Sequence, residues 1–131
     1  MDFDINAGLV ASLELVVDSS NTAESLGSGT LPVFGTPAMI ALMEKTAVQC
    51  VSTYLPEGWS TVGTKLDVSH ISASPVGCKI SCEVTLVEVD RRRLVFSCRA
   101  FDNAGLIGEG TQERFIVMND KFLAKASDKL C

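Results

Sequence analysis

Apolar and polar positions change period twice along the chain. From Leu9 to Val17 aliphatic residues dominate a short run that reads as a strand. Asp18 to Gly35 then carries Ser, Thr, Asn and Gly with few large apolar groups. So long a connection in a small domain is either a lid or binding loop, or a plain surface crossing. At Thr36-Pro37 the period becomes 3.6: Thr suits an N-cap, Pro suits the first helical position, and helix formers continue to Tyr54 before Pro56 and Gly58 intervene. Beyond Ser60 the pattern is β-like again. Four strands are predicted, Thr61 to Ala73, Cys78 to Val89, Arg92 to Asp102 and Leu106 to Met118. Turn signals at Ser74-Pro75-Val76-Gly77, Asp90-Arg91 and Asn103-Ala104-Gly105 separate them. The expected order is strand, long loop, helix and a four-strand antiparallel meander, with the tail from Asn119 forming a short helix or fraying. This is an α+β arrangement in which a sheet of about five strands curls around one helix.

Composition narrows the function. The 131 residues fit a single domain, 1–131, without room for a second core. Hydrophobic residues make up 47% of the chain and mean hydropathy is +0.28, an excess that predicts a partner covering part of the surface. A net charge of −5 leaves no overall field to attract nucleic acid, so an anionic ligand must be held by local groups. No apolar run approaches the ~18 residues of a membrane span, and Met1 to Gly8 holds two Asp and no basic residue, so a soluble cytoplasmic protein is expected. Five cysteines, an odd number, suit a reducing compartment. Cys78, Cys82 and Cys98 alternate with aliphatics, a pattern of core packing rather than metal binding.

Three residues break the apolar pattern. At 100° per residue, Met39, Cys50, Met43, Tyr54, Ala47, Ile40, Val51, Val48 and Ala41 fill one wide helical arc, and Glu44 is the only charged residue inside it. A carboxylate there needs a structural partner or has a catalytic role. His70, the only histidine, shares strand parity with Val62, Leu66 and Val68, so its ring points to the helix side, as a core residue or a functional one. Thr36 places a hydroxyl at the helix N-terminus, as a cap or as a site group. Thr36 and Glu44 are eight residues apart, about 12 Å along a regular helix, so a site using both needs a bent loop, a spanning substrate or a second subunit.

These segments resemble the hotdog-fold acyl-CoA thioesterases, and among them the fluoroacetyl-CoA thioesterase-like branch. The resemblance rests on Phe34-Gly35-Thr36-Pro37-Ala38-Met39-Ile40-Ala41-Leu42-Met43-Glu44, on Val62-Gly63-Thr64, on Val68 to Gly77, and on Ile107-Gly108-Glu109-Gly110-Thr111-Gln112-Glu113-Arg114. It implies a hotdog fold, thioester hydrolysis without a cofactor, catalytic roles for Thr36, Glu44 and His70, a carbonyl-polarising amide at Gly63, and at least a homodimer with the site at the subunit seam. Gln112 stands where the branch usually carries histidine, and Ser25 to Val33 has no aromatic residue, so selectivity for a fluorinated acyl group does not transfer.

The expected reaction is hydrolysis of a short acyl-CoA thioester, with Glu44 as general base or nucleophile, His70 moving protons and Thr36 orienting the carboxylate or the carbonyl. Arg91, Arg92 and Arg93 are candidates for the CoA phosphates, and Arg114 a further one. A non-catalytic acyl-CoA or small-ligand binding protein on the same fold is the alternative. A hotdog hydratase ranks behind both, since its usual Asp and His set is not found.

Overall fold

The computed structural model describes residues 3–130. Its elements run β1 (Val10–Val16), α1 (Ala23–Leu26), α2 (Thr36–Ser52), β2 (Trp59–His70), β3 (Lys79–Asp90), β4 (Arg93–Asp102), β5 (Gly105–Met118) and α3 (Asn119–Ser127). All strands join one antiparallel sheet in the order β1-β3-β4-β5-β2. The expected four-strand meander is therefore three strands long. β2 does not pair with β3; it follows α2 and docks on β5, which leaves its other edge unpaired.

One side of the sheet receives α2. Ile80, Cys82, Val84 and Leu86 of β3, Leu94, Phe96, Cys98 and Ala100 of β4, and Ile107 and Ile116 of β5 close on Met39, Met43, Ala47 and Val51 of the helix. The alternation of these positions with exposed ones is what the period-2 pattern requires of a half-covered sheet. Burial pushes the Cys82 thiol up to about 11, so it stays a neutral packing group at physiological pH. Among the described residues no helix is long and apolar enough to cross a membrane.

The helix is covered less completely than its composition suggests. Leu42 and Thr46 are buried, whereas Val48 is exposed and Ile40 is half-buried; Ala41, also exposed, lies on the β1 side, and Tyr54, which the arc included, lies past the end of the helix and is exposed. The sheet of one chain covers a stripe of α2 and leaves an apolar flank open. Glu44 lies at the border of that flank.

A second difference concerns strand parity. β2 pairs Gly63 with Arg114 and Lys65 with Glu113, so Thr64 is an extra residue, a β-bulge. Upstream, Thr61 and Gly63 face α2 with Ile116 and Arg114, and Val62 faces outward with Phe115. Downstream, Leu66, Val68 and His70 take the helix side. The bulge thus brings an odd-numbered glycine and an even-numbered histidine to the same face, and removes Val62 from the company of His70.

Candidate active site

Helix α2 begins one residue earlier than a Thr36 cap requires. Gly35 is the N-cap, Thr36 occupies the first helical position, and no side chain caps the helix. The Thr36 hydroxyl is instead 2.8 Å from His70 Nδ1. Phe34, fully buried, meets the imidazole edge-on with ring centroids 6.3 Å apart.

The long connection is an ordered loop folded over this pair. Ala23 N–H donates to Val33 O at 2.7 Å, Gly35 N–H to Asn21 O at 2.9 Å, and Phe34 N–H to Ser74 O at 2.8 Å. Gly27, with φ +72°, terminates α1 in the left-handed conformation that glycine adopts most readily. The resulting cavity of about 280 Å³ is lined by Ala23, Ser28, Phe34, Thr36, His70 and Ser72, among others. Of the two readings of the loop, it is the wall of a cavity.

His70 Nε2 is buried without a hydrogen-bond partner. A buried polar atom left unpaired is costly, and on a residue that lines a cavity it marks a place for a ligand or a further chain. Burial also holds the imidazole pKa below its ordinary value, opposed in part by the Ser72 backbone. Two consequences share one sign. The native state binds this proton less readily than the unfolded chain, so His70 contributes stability above about pH 6.5 that is lost as pH falls below it. If neutral His70 is the active form, the acid limb of a kcat/KM profile lies below pH 6.5, and its disappearance in His70→Asn assigns it; an acid limb above 7 contradicts the assignment.

Glu44 belongs to a different group. Arg114 Nη1 donates to its Oε2 at 3.0 Å. The guanidinium is buried and spends its other donors on Thr61 Oγ1 at 2.9 Å, Thr61 O at 3.1 Å and Gln112 Oε1 at 3.5 Å. Gln112 Nε2 in turn donates to Met43 O at 2.9 Å, the carbonyl preceding Glu44 in the helix. Arg114 therefore does not lie where a phosphate would be expected; it ties Glu44 to β2 and β5. Thr61 and Gln112, absent from the sequence-level site, complete the tie, and their signal is spacing: each is two residues from Gly63 or Arg114 and shares its face.

Gly63 makes the approach possible. A Cβ there would sit 2.7 Å from Glu44 Oε2 and 3.3 Å from Arg114 Nη1. Any side chain would displace the carboxylate or break the ion pair.

The structure thus joins Thr36 to His70 and Glu44 to Gly63 and Arg114, and keeps the two groups apart. Eight helical residues separate them on α2, about 12 Å, and seven positions with one bulge separate them on β2, roughly 20 Å. Both groups face the unpaired edge of β2 and the open flank of α2. Arg91, Arg92 and Arg93 lie at the β3–β4 turn, at the Gly63 end of the sheet, because Arg93 pairs with Phe115 and Phe115 with Val62. A more apolar cavity of about 410 Å³, between β1 and the opposite side of α2, holds only Glu14 and Lys45 as titratable groups.

The model of the fluoroacetyl-CoA-specific thioesterase family matches residues 17–120. A fluoroacetyl-CoA thioesterase from Streptantibioticus cattleyicolor is 37% identical over 97 residues, covering 74% of this chain and 70% of the relative. Among solved structures, a fluoroacetyl-CoA thioesterase aligns with a TM-score of 0.91 at 32% identity, over 97% of this chain and 98% of that one. A hot-dog-like protein from Thermanaerovibrio acidaminovorans gives 0.88 at 25% identity, over 97% and 94%.

Proposed function

This chain belongs to the fluoroacetyl-CoA-specific thioesterase family, and on that premise we propose that it hydrolyses a short acyl-CoA thioester at a site which a second copy of the chain completes. Its hot-dog fold and its activity as an acyl-CoA thioester hydrolase follow from that membership. The division into two half-sites on one open edge is the observation that carries the rest.

Antiparallel pairing of β2 with its own copy, centred near Leu66 and Asp67, sets Gly63 of one chain opposite His70 of the other. The same operation lays the open flanks of the two α2 helices together and covers Ile40, Val48 and Leu66, which one chain leaves partly or largely exposed. Each seam then holds Glu44 and Gly63 from one copy and Thr36 and His70 from the other. The Thr36 to Glu44 gap disappears without bending the helix.

In this arrangement the Gly63 N–H and the positive end of α2 receive the charge that develops on the thioester oxygen. Arg114 engages one oxygen of Glu44 and leaves Oε1 for the reaction, where the carboxylate activates water or attacks the carbonyl itself. His70, held by Thr36 through Nδ1 and neutral at the start, accepts at Nε2 the proton that the attacking water releases through Glu44, and the imidazolium then gives it to the departing thiolate. Side chains and water suffice for every step, and CoA is substrate. The 280 Å³ cavity beside Thr36 suits an acyl group of a few carbons. The loop over it contains no aromatic side chain between Ser25 and Val33, so preference for a fluorinated acyl group is not expected.

Released thiol from acetyl-, butyryl-, hexanoyl- and decanoyl-CoA tests the reading. Turnover of the two short substrates that falls at least tenfold by decanoyl supports it. Thermal stabilisation by acyl-CoA without thiol release supports the binding-protein alternative instead.

A further inference from the structure

The cavity between β1 and α2 takes no part in either half-site. It holds about 410 Å³, within the range of small-molecule sites, and its apolar wall is built by Leu13 and Leu15 of β1, Leu26 of α1, and Ala38, Ala41 and Leu42 of α2. At 100° per residue, Ala38, Leu42 and Lys45 lie roughly 100–160° around the helix from Glu44. The cavity therefore opens on the side of α2 away from the catalytic carboxylate. β1 is the sheet edge opposite β2, so pairing through β2 does not cover it.

The polar groups on this wall differ in what they have left to bind. Glu14 is paired with Lys79 at 2.7 Å. Asn21 donates to Val16 O at 3.2 Å and accepts from the Asp18 N–H at 2.9 Å, and Ser20 donates its hydroxyl to Asp18. Lys45 is exposed and has no ion-pair or hydrogen-bond partner among the described residues. Its stem can line an apolar wall while its ammonium stays at the mouth. One uncommitted cation beside an apolar cavity selects a ligand with an apolar body and a single negative charge. A carboxylate is balanced by one ammonium, whereas a phosphate near its dianionic state is left with charge unpaired.

We propose that this cavity binds a free monocarboxylate with an apolar body of roughly eight to ten carbons, its head on Lys45 and its tail along α2 toward Ala38. Ala38 and Lys45 are seven residues apart, about 10 Å along the helix, a length that such a chain spans. The site is separate from the thioester chemistry but shares a wall with it. Ala23 and Ser28 line the cavity beside Thr36 and His70, whereas Leu26, from the same short segment, lines this one. Leu26 also lies against the cap of α2, where a Cβ on Gly35 would sit 3.1 Å from its Cδ1. A ligand packed on Leu26 thus braces the loop that leads into Thr36.

Decanoate below its micelle concentration is the probe, with calorimetry and amide NMR on wild type, Lys45→Glu and Ala38→Phe. Lys45 is exposed, so its substitution keeps the fold, and Ala38→Phe fills the cavity from the helix side. Wild type is expected to bind decanoate about fivefold more tightly than decanol, a preference that shrinks with added salt. Lys45→Glu weakens decanoate about tenfold and leaves decanol nearly unchanged. Ala38→Phe weakens both. The amides that shift in wild type are those of Leu13, Leu26 and Lys45. Absence of binding, equal decanoate affinity in wild type and Lys45→Glu, or shifts confined to His70 and Ser72 overturn the proposal. A change of oligomeric state in Lys45→Glu with unchanged decanoate affinity also overturns it and assigns the cavity to a second copy. None of these readings depends on turnover, so loss of the thioesterase reading leaves the test intact.

Discussion

Replacing Glu44 by Gln lowers kcat on acetyl-CoA by about 10³-fold, the range for removal of a positioned general base or nucleophile, while the protein melts within a few degrees of wild type. The amide keeps the size of the carboxylate and an oxygen for Arg114 Nη1, so the tie to Thr61 and Gln112 is not emptied. What is lost is the electron pair that a carboxylate offers to water or to the carbonyl carbon. Glu44→Ala is a less discriminating change, because it leaves a buried guanidinium without its counter-charge and lowers stability along with activity. Thiol release and thermal unfolding on the same preparations separate the two effects. Retention of more than a tenth of wild-type kcat in Glu44→Gln removes Glu44 from the chemistry.

Most of the fold was legible because the period changes are sharp. The helix, the five strands and their turns fall within about two residues of expectation except at the ends of the helix and of β2. Sheet order was not legible. The helix separates β1 from the rest, and nothing in the pattern of β2 distinguishes docking on β5 from docking on β3, since both partners alternate in the same way. Glu44, His70 and Thr36 stood out as polar residues in apolar company, and the structure gives each a reason. Their grouping was hidden by two local events. A Gly35 cap frees the Thr36 hydroxyl for His70, and a bulge at Thr64 shifts parity between Gly63 and His70. Neither has a sequence signature beyond a Gly-Thr pair, which occurs at both places. The arginines show a similar division. Arg114 read as a basic residue on the last strand, and only burial reveals that it serves Glu44.

Part of the apolar surface that one chain leaves exposed lies beside the half-sites. It is the flank of α2 and the edge of β2, where Val48 and Leu66 are exposed beside the two half-sites. Hydrophobic surface and incomplete chemistry coincide on one edge, which is the expectation for a seam that both folds and catalyses.

Subunit complementation tests the central claim, that each working site takes Glu44 from one copy and His70 from another. Glu44→Gln and His70→Asn homodimers are each expected to retain under about 1% of wild-type kcat, a loss typical of removing an acid–base group. Mixed in equal amounts, dissociated and allowed to reassociate at random, half the dimers are mixed. Each mixed dimer carries one seam with both substitutions and one seam with neither, so activity rises to about a quarter of wild type on the logic of a two-fold dimer. Activity that stays at the mean of the two parents, with mixed dimers demonstrated by mass, contradicts the shared site and returns all three residues to a single chain.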